Sequence, residues 1–255
     1  MVNLDIAPGQ RPLRCSELVL MLTATIDPRL TPLVARSDPQ VRLNDYRIAL
    51  KSWLSSGVST IVFVENSGYR LDALKEIARG YPRVRTEFIS LNPAELTAQR
   101  GKGYGELTLM HAAFEQSSLL REAQFVAKCT GRLTLLNIGE LLRQLDGLNA
   151  DLFCTFKRNL TFADSRFFIA RPTMMTGQLF PLKDTLDDGA GVFFENVLAR
   201  ASLGAVAAGF KWSCFPVFPN IAGVSGTFNT TMTDRPWIRA AKVLYHALRR
   251  YVYEH

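Results

Sequence analysis

Apolar residues in the first 150 positions fall into two kinds of block. Leu18 to Leu22 (LVLML) is unbroken, as expected of a strand covered on both faces. Pro28, Pro32 and Pro39 then punctuate a loop. From Arg42 to Leu54 the apolar positions Leu43, Tyr46, Leu50, Trp53 and Leu54 recur at helical spacing, and Ser55-Ser-Gly57 stops that helix. Val58 to Val64 is a second buried strand, closed by Glu65-Asn-Ser-Gly68. Leu71 to Arg79 reads as a short helix, Val84 to Leu91 as a third strand, and Gly105 to Glu122 as a helix with Leu109, Met110, Ala113 and Phe114 inward. Phe125 to Cys129 is a fourth strand, followed by a helix over Asn137 to Leu145. This alternation predicts an α/β fold with an open, mostly parallel, Rossmann-like sheet flanked by helices. Such sheets bind ligands at the carboxyl ends of their strands.

After residue 150 the pattern changes. Aromatic-rich strands (Leu152 to Phe156, Arg166 to Ala170) alternate with Gly- and Asp-rich loops, and a helix is expected over Val192 to Leu203. No linker-like boundary intervenes. We therefore expect one domain over 1–255, with 17–150 as a nucleotide-binding half and 151–255 as an acceptor-facing half. The latter ends in a basic, aromatic helix from Pro236 to Tyr253, containing Trp237, Arg239, Lys242, Tyr245, Arg249, Arg250 and Tyr251. That helix suits either an anionic membrane surface or docking on its own domain.

Composition narrows the classes. At 255 residues and 47% hydrophobic, the chain can fill a full core. No apolar run approaches the roughly 20 residues needed to cross a bilayer, and the N-terminus has no signal-peptide pattern, so a cytoplasmic protein is expected. The four cysteines lack CxxC spacing and read as small core residues; the three histidines do not have zinc-site spacing. Net charge is +7, which suits a phosphorylated substrate or an anionic membrane. The excess is not gathered in one run and no RNP, KH or zinc-finger pattern is present, so nucleic acid is not an expected partner.

Polar chemistry gathers at the strand ends. Thr23 and Thr25 follow the first strand and offer hydroxyls to a base or ribose, or simply cap the strand. Glu65 and Asn66 end the second, as ribose or base ligands or as an Asx turn. Arg100-Gly-Lys-Gly-Tyr-Gly-Glu106 combines three glycines with two cations before a helix, which suits a phosphate; Arg100, Lys102, Gly103, Tyr104 and Glu106 are its candidate residues, and a flexible basic turn is the alternative. It matches neither the P-loop nor the dinucleotide fingerprint. Lys128, Thr130, Gly131 and Arg132 end the fourth strand, placed to neutralise a diphosphate or to form a solvated turn. Glu195 stands beside Phe193 and Phe194 near a helix start, as a general base or as a carboxylate favoured by the helix dipole. Asp187-Asp188, in the loop before it, reads as a solvated acidic pair or as ligands for a divalent ion.

Over roughly residues 17–230, the segments LMLTATI, VFVENSG, RGKGYGE, FVAKCTGRL, DLFCTFKRN, TFADSRFF, FFENVLAR and PNIAGVSGT, in that order, resemble bacterial glycosyltransferases of surface-polysaccharide assembly (capsule, O-antigen, lipopolysaccharide) of the GT-A type. The resemblance implies a nucleotide-sugar donor and a glycan or lipid-linked acceptor at the cytoplasmic face of the inner membrane. It implies that Thr23, Thr25, Glu65 and Asn66 line the nucleoside site, and that Lys102, Tyr104 and Glu106 lie near the diphosphate or sugar. Glu195 would be the base of an inverting transfer. GT-A enzymes usually carry a metal-binding Asp-x-Asp after the fourth strand. Here Lys128-Cys-Thr-Gly-Arg132 stands in that place, so these cations are expected to replace a required metal. Rival readings are another Rossmann-like nucleotide-cofactor enzyme, such as a methyltransferase, and a non-catalytic subunit of a polysaccharide assembly complex.

Overall fold

Four strands form a parallel centre: β1 (Leu18–Ala24), β2 (Thr60–Glu65), β3 (Arg85–Ser90) and β4 (Phe125–Thr130), in the order β3-β2-β1-β4. The computed structural model describes residues 11–28, 35–91, 100–225, 229–231 and 236–254. Of the sequence features above, Pro32 and Gly226-Thr227 lie outside these.

Side chains that alternate across a strand enter different layers. Val19 and Met21 of β1, Val62 and Val64 of β2, and Val126 of β4 pack in one core layer. Leu18, Leu20 and Leu22, Ile61 and Phe63, and Phe125 and Ala127 pack in the other. The second layer is covered by α1 (Pro39–Leu54) through Leu43, Tyr46, Leu50 and Trp53, and by α2 (Asp72–Arg79) through Leu74 and Ala78. Asp38 starts α1, accepting from the amides of Gln40 and Val41, with Pro39 at the position where a missing N–H costs least. The first layer is covered by α3 (Lys102–Gln116).

The helix expected over Gly105 to Glu122 is two helices. Ser117 is extended and fully buried, donates its hydroxyl to Glu87 at 2.5 Å, and caps α4 (Ser118–Arg121) by accepting from Leu120 N. A buried serine that satisfies a new helix start ends the old one. The first of these helices also begins at Lys102 rather than Gly105.

Beyond β4 come β5 (Leu133–Leu135), α5 (Ile138–Leu145), β6 (Leu152–Phe153), β7 (Phe156–Lys157), β8 (Phe162–Ala163) and β9 (Phe167–Ala170). The expected strand Leu152 to Phe156 is therefore split: β6 stays in the main sheet, whereas β7 turns out and pairs with β8. That hairpin makes β9 return antiparallel to β6, and β9 also lies antiparallel to β4, with Cys129 opposite Phe167. α6 (Pro172–Met174), α7 (Phe194–Ala207), β10 (Trp212–Ser213), β11 (Ile221–Gly223) and α8 (Pro236–Glu254) complete the chain. The full sheet has seven strands, β10-β6-β9-β4-β1-β2-β3, so it draws on both halves of the sequence. β5 and β11, invisible in the apolar pattern, form a separate antiparallel pair. The antiparallel entry of β9 matters most here, because it brings Asp164, Ser165 and Arg166 to the carboxyl end of β4.

Candidate functional site

A chain of polar contacts runs across the carboxyl ends of β1 and β4. Thr23 donates its hydroxyl to Glu106 Oε1 at 2.7 Å. The Lys128 ammonium lies 2.6 Å from the same oxygen, donates to Ser165 O at 2.6 Å, and approaches Thr130 Oγ1 at 3.4 Å and the Phe194 ring at 5.5 Å. Ser165 in turn donates its hydroxyl to Glu195 Oε1 at 2.8 Å. Five elements or their flanks therefore converge: β1, α3, β4, the start of β9 and the first turn of α7. A bulky residue at 131 would break the arrangement, since a Cβ there would sit 2.9 Å from Thr23 O, which Gly131 N already donates to at 2.8 Å.

The expected role of Lys128 as a cation for a leaving diphosphate is corrected by this geometry. Lys128 is fully buried within β4. An ammonium withdrawn from water needs a carboxylate and further acceptors, and Glu106, Ser165 and Thr130 are those partners. Glu106 is likewise turned toward Lys128 rather than toward a phosphate. Arg132 is half-buried, donates from Nε to Val224 O at 3.0 Å, and its charge also bears on Glu106.

At the end of β1, Thr25 donates its hydroxyl to Asn66 Oδ1 at 2.7 Å, so the expected nucleoside pair does meet. Glu65 reaches the same region but its carboxylate is spent on the backbone. Oε1 accepts from Ile26 N and Ser67 N, both at 2.9 Å, and from the Ser67 hydroxyl; Oε2 accepts from Tyr69 N at 3.0 Å. Fully buried, Glu65 shapes the turn and is not placed as a ribose ligand. Two residues that periodicity hides support Thr25. Arg42 is buried and donates from Nε to Thr25 O at 2.7 Å, while the Tyr46 hydroxyl accepts from Thr25 N at 3.0 Å. The only signal for Arg42 is a cation on the inner stripe of an amphipathic helix.

The glycine-rich segment is also reassigned. Asp188 sits against it, and Gly103 N donates to Asp188 Oδ2 at 3.3 Å. A Cβ at Gly101 would be 2.4 Å from Asp188 Oδ2, and one at Gly103 would be 3.0 Å from Oδ1 and 3.2 Å from Phe194 N. Arg100 donates to Asp184 O at 2.6 Å, and the Tyr104 hydroxyl lies 3.5 Å from Asp184 Oδ1. The glycines admit the chain's own carboxylate to the start of α3, which occupies the position expected for phosphate with like charge. Asp187 caps the adjacent turn through Gly189 N and Ala190 N, so the acidic pair is structural. Gly101 also has φ +96°, a conformation that strains L residues. Gly101→Ala is expected to cost about 2–4 kcal/mol from overpacking and backbone strain together, measured by urea unfolding. A change below about 0.5 kcal/mol would show that Asp188 does not hold this contact in solution.

Ionisation follows the pairing. Burial pushes the Glu106 carboxyl up, but the Lys128 ammonium, hydrogen bonds from Lys128 and Thr23, and the Arg132 charge outweigh it and hold it below its ordinary value. Asp164 is 8% exposed; burial pushes it up, and Arg166 and Lys157 bring it well below the carboxylate range. Both shifts are depressions. Their stabilisation is complete above the unfolded carboxylate value of about 4 and is lost as pH falls through the lower folded values. Thermal melts should be insensitive to these pairs down to about pH 5 and fall steeply below about pH 4. Glu106→Gln and Asp164→Asn should each flatten that fall, and an unchanged profile in both would refute the pairing. Burial pushes the Cys129 thiol up to about 12, so the cysteine in this region is no nucleophile at neutral pH.

Of the carboxylates near the end of β4, Glu106 is neutralised by Lys128 and Asp164 by Arg166 and Lys157; among the described residues no group of three or more His, Cys, Asp or Glu could hold a metal.

No protein family and no curated protein matches the sequence. Solved structures do resemble the chain. A mannosyltransferase from Pyrobaculum calidifontis, in complex with GDP-mannose and Mn2+, is 13% identical, with 97% of this chain and 67% of that one covered and a TM-score of 0.47. Core-mannan synthase A from Aspergillus fumigatus, in its Mn/GDP form, is 10% identical over 78% of this chain and 73% of that one, at 0.46. The bifunctional glycosyltransferase WbbM is 12% identical over 76% of this chain and 38% of that one, at 0.45. At such identities the likeness is one of backbone alone, and no residue role follows from it.

Proposed function

We propose that the protein transfers a sugar from a nucleotide-sugar donor to a hydroxyl of a glycan or lipid-linked acceptor. The observation that carries this reading is the contact chain from Thr23 through Glu106, Lys128 and Ser165 to Glu195. It sets a carboxylate beside the carboxyl ends of parallel strands, where α/β sheets take nucleotides. The donor's nucleoside lies by Thr25 and Asn66, and its sugar is turned toward Glu195. Thr130 and Arg132 face the diphosphate, with Lys128 reassigned to holding the site together. Glu195 takes the proton of the acceptor hydroxyl as its oxygen bonds to the anomeric carbon. The bond from that carbon to the phosphate oxygen breaks and the nucleoside phosphate departs, with inversion and without a required metal. The reaction belongs to bacterial surface-polysaccharide synthesis at the cytoplasmic face of the inner membrane. In keeping with a peripheral position, no helix among the described residues is long and apolar enough to cross a membrane.

A thermal-shift panel of UDP-, GDP- and CMP-sugars against S-adenosylmethionine and NAD tests the reading. One sugar nucleotide at about 100 times its Kd should stabilise by roughly 2.7 kcal/mol, a shift of several degrees. A shift with S-adenosylmethionine or NAD and with no sugar nucleotide would sink it. Transfer should also survive a strong chelator; complete loss, restored by manganese, would refute the metal-independent step.

A further inference from the structure

Ser165 lies between Lys128 and Glu195 and contacts both. It is 5% exposed and stands just before β9. Its hydroxyl donates to Glu195 Oε1 at 2.8 Å, while its backbone carbonyl accepts from Lys128 at 2.6 Å. The two contacts are separable, because only the hydroxyl belongs to the side chain. A serine hydroxyl has one proton to give. Given to a carboxylate, it makes a charge-assisted bond, roughly twice as strong as one between neutral groups.

The backbone that carries this hydroxyl is held on both sides. Before it, Asp164 N donates to Thr155 O at 2.9 Å, and the Asp164 carboxylate pairs with Lys157 and Arg166. After it, Arg166 O accepts from Thr130 N at 3.0 Å, which ties the chain to the end of β4. The partner that Ser165 holds is less constrained. A glutamate side chain is long and rotatable, and fixing its carboxylate takes a specific contact. Glu195 is half-buried in the first turn of α7, and among the described residues its Oε2 makes no hydrogen bond or ion pair. One oxygen is thus tethered to a rigid point of the sheet and the other is left to an incoming hydroxyl.

We propose that Ser165 is a positioning residue of the transfer step, fixing Glu195 by Oε1 so that Oε2 takes the acceptor proton. The inference rests on the sugar-transfer reading above and adds which oxygen acts and what aims it. As Oε2 takes the proton, the acceptor oxygen bonds to the anomeric carbon, and the nucleoside phosphate leaves with the electron pair of the broken bond. Ser165 keeps its own proton throughout. A reacting group misplaced by about 1 Å can cost roughly a hundredfold, so loss of this tether falls on turnover and spares donor binding.

Release of nucleoside phosphate, with water as acceptor, is followed for UDP-glucose, GDP-mannose and CMP-N-acetylneuraminate with the full chain. Ser165→Ala keeps the carbonyl that Lys128 needs. It should lower kcat by about tenfold to a hundredfold and change donor Kd by less than about threefold. The double variant Ser165→Ala/Glu195→Gln should turn over no more slowly than Glu195→Gln alone, because Ser165 acts only through Glu195. If Ser165→Ala does not fold, Ser165→Cys, which leaves a weaker donor in the same place, gives the same comparison with a loss of at least about threefold. A Ser165→Ala kcat equal to wild type, a loss confined to donor Kd, or a double variant slowed by the product of the two single losses would each overturn the inference. In those cases a slow Glu195→Gln variant leaves the transfer reading standing. Normal turnover by Glu195→Gln, or no release from any of the three donors by wild type, removes that reading and this inference together.

Discussion

Replacing Lys128 by methionine is expected to lower stability by about 3 kcal/mol, at the lower end of the 3–5 kcal/mol typical of a broken buried ion pair. The lower end applies because Glu106, left without its partner, keeps 25% of its side chain exposed and can be partly hydrated or protonated. For a chain of this size the melting temperature should fall by roughly 6–12 °C. Ser165 O and Thr130 Oγ1 lose their donor in the same variant, so the site should loosen as well. The double variant Lys128→Met/Glu106→Leu should recover at least half of the loss, since two apolar groups leave no charge stranded. A single variant within about 0.5 kcal/mol of wild type would show that the pair is not structural. Donor affinity provides the complementary readout. Lys128 donates inward, so nucleotide Kd, measured well below the melting temperature, should change less than tenfold. A larger loss would return Lys128 to the diphosphate.

Glu195→Gln should reduce transfer by about a thousandfold, within the 10²–10⁴ range of general-base catalysis, or roughly 4 kcal/mol of barrier. Glutamine keeps the shape of glutamate and can still accept from Ser165, so the network to Lys128 and Glu106 should persist, and with it the melting temperature and donor affinity. The assay uses whichever sugar nucleotide gives the largest thermal shift. Near-normal turnover in this variant would remove Glu195 from the role of base. Loss of both turnover and donor binding would instead place it on the donor.

Most of the sheet could be read from the chain because its signals are local. LVLML and TIVFV are continuous because both faces of a central parallel strand are covered, and α1 shows its inner stripe because one face meets the core. Short elements escaped for the opposite reason. β5, β10 and β11 have two or three residues each, too few for any period, and exist through their partners. The split at Ser117 was hidden because serine is tolerated inside a helix; its contacts with Glu87 and Leu120 N, not its propensity, end α3.

The site divides in the same way. Thr23, Thr25, Asn66, Glu106, Lys128 and Glu195 are polar residues at strand ends or helix starts, and position alone marked them. Ser165 gave no such signal: it precedes a strand whose antiparallel entry beside β4 is a tertiary fact. Asp188 reads from the sequence as a solvated acid or a divalent-ion ligand, and packing alone sets its carboxylate against Gly101 and Gly103.

The sequence by itself determined the long strands and helices of the parallel centre, and hence a mostly parallel sheet with its chemistry at the carboxyl ends of its strands, because burial on one face or two leaves a periodic trace. Only the tertiary structure decided what each charge does. A lysine, a glutamate and a glycine loop read alike whether they face a phosphate or each other. Partners 22 residues apart in Lys128 and Glu106, or 85 apart in Gly103 and Asp188, are set by packing, and no pattern along the chain records them.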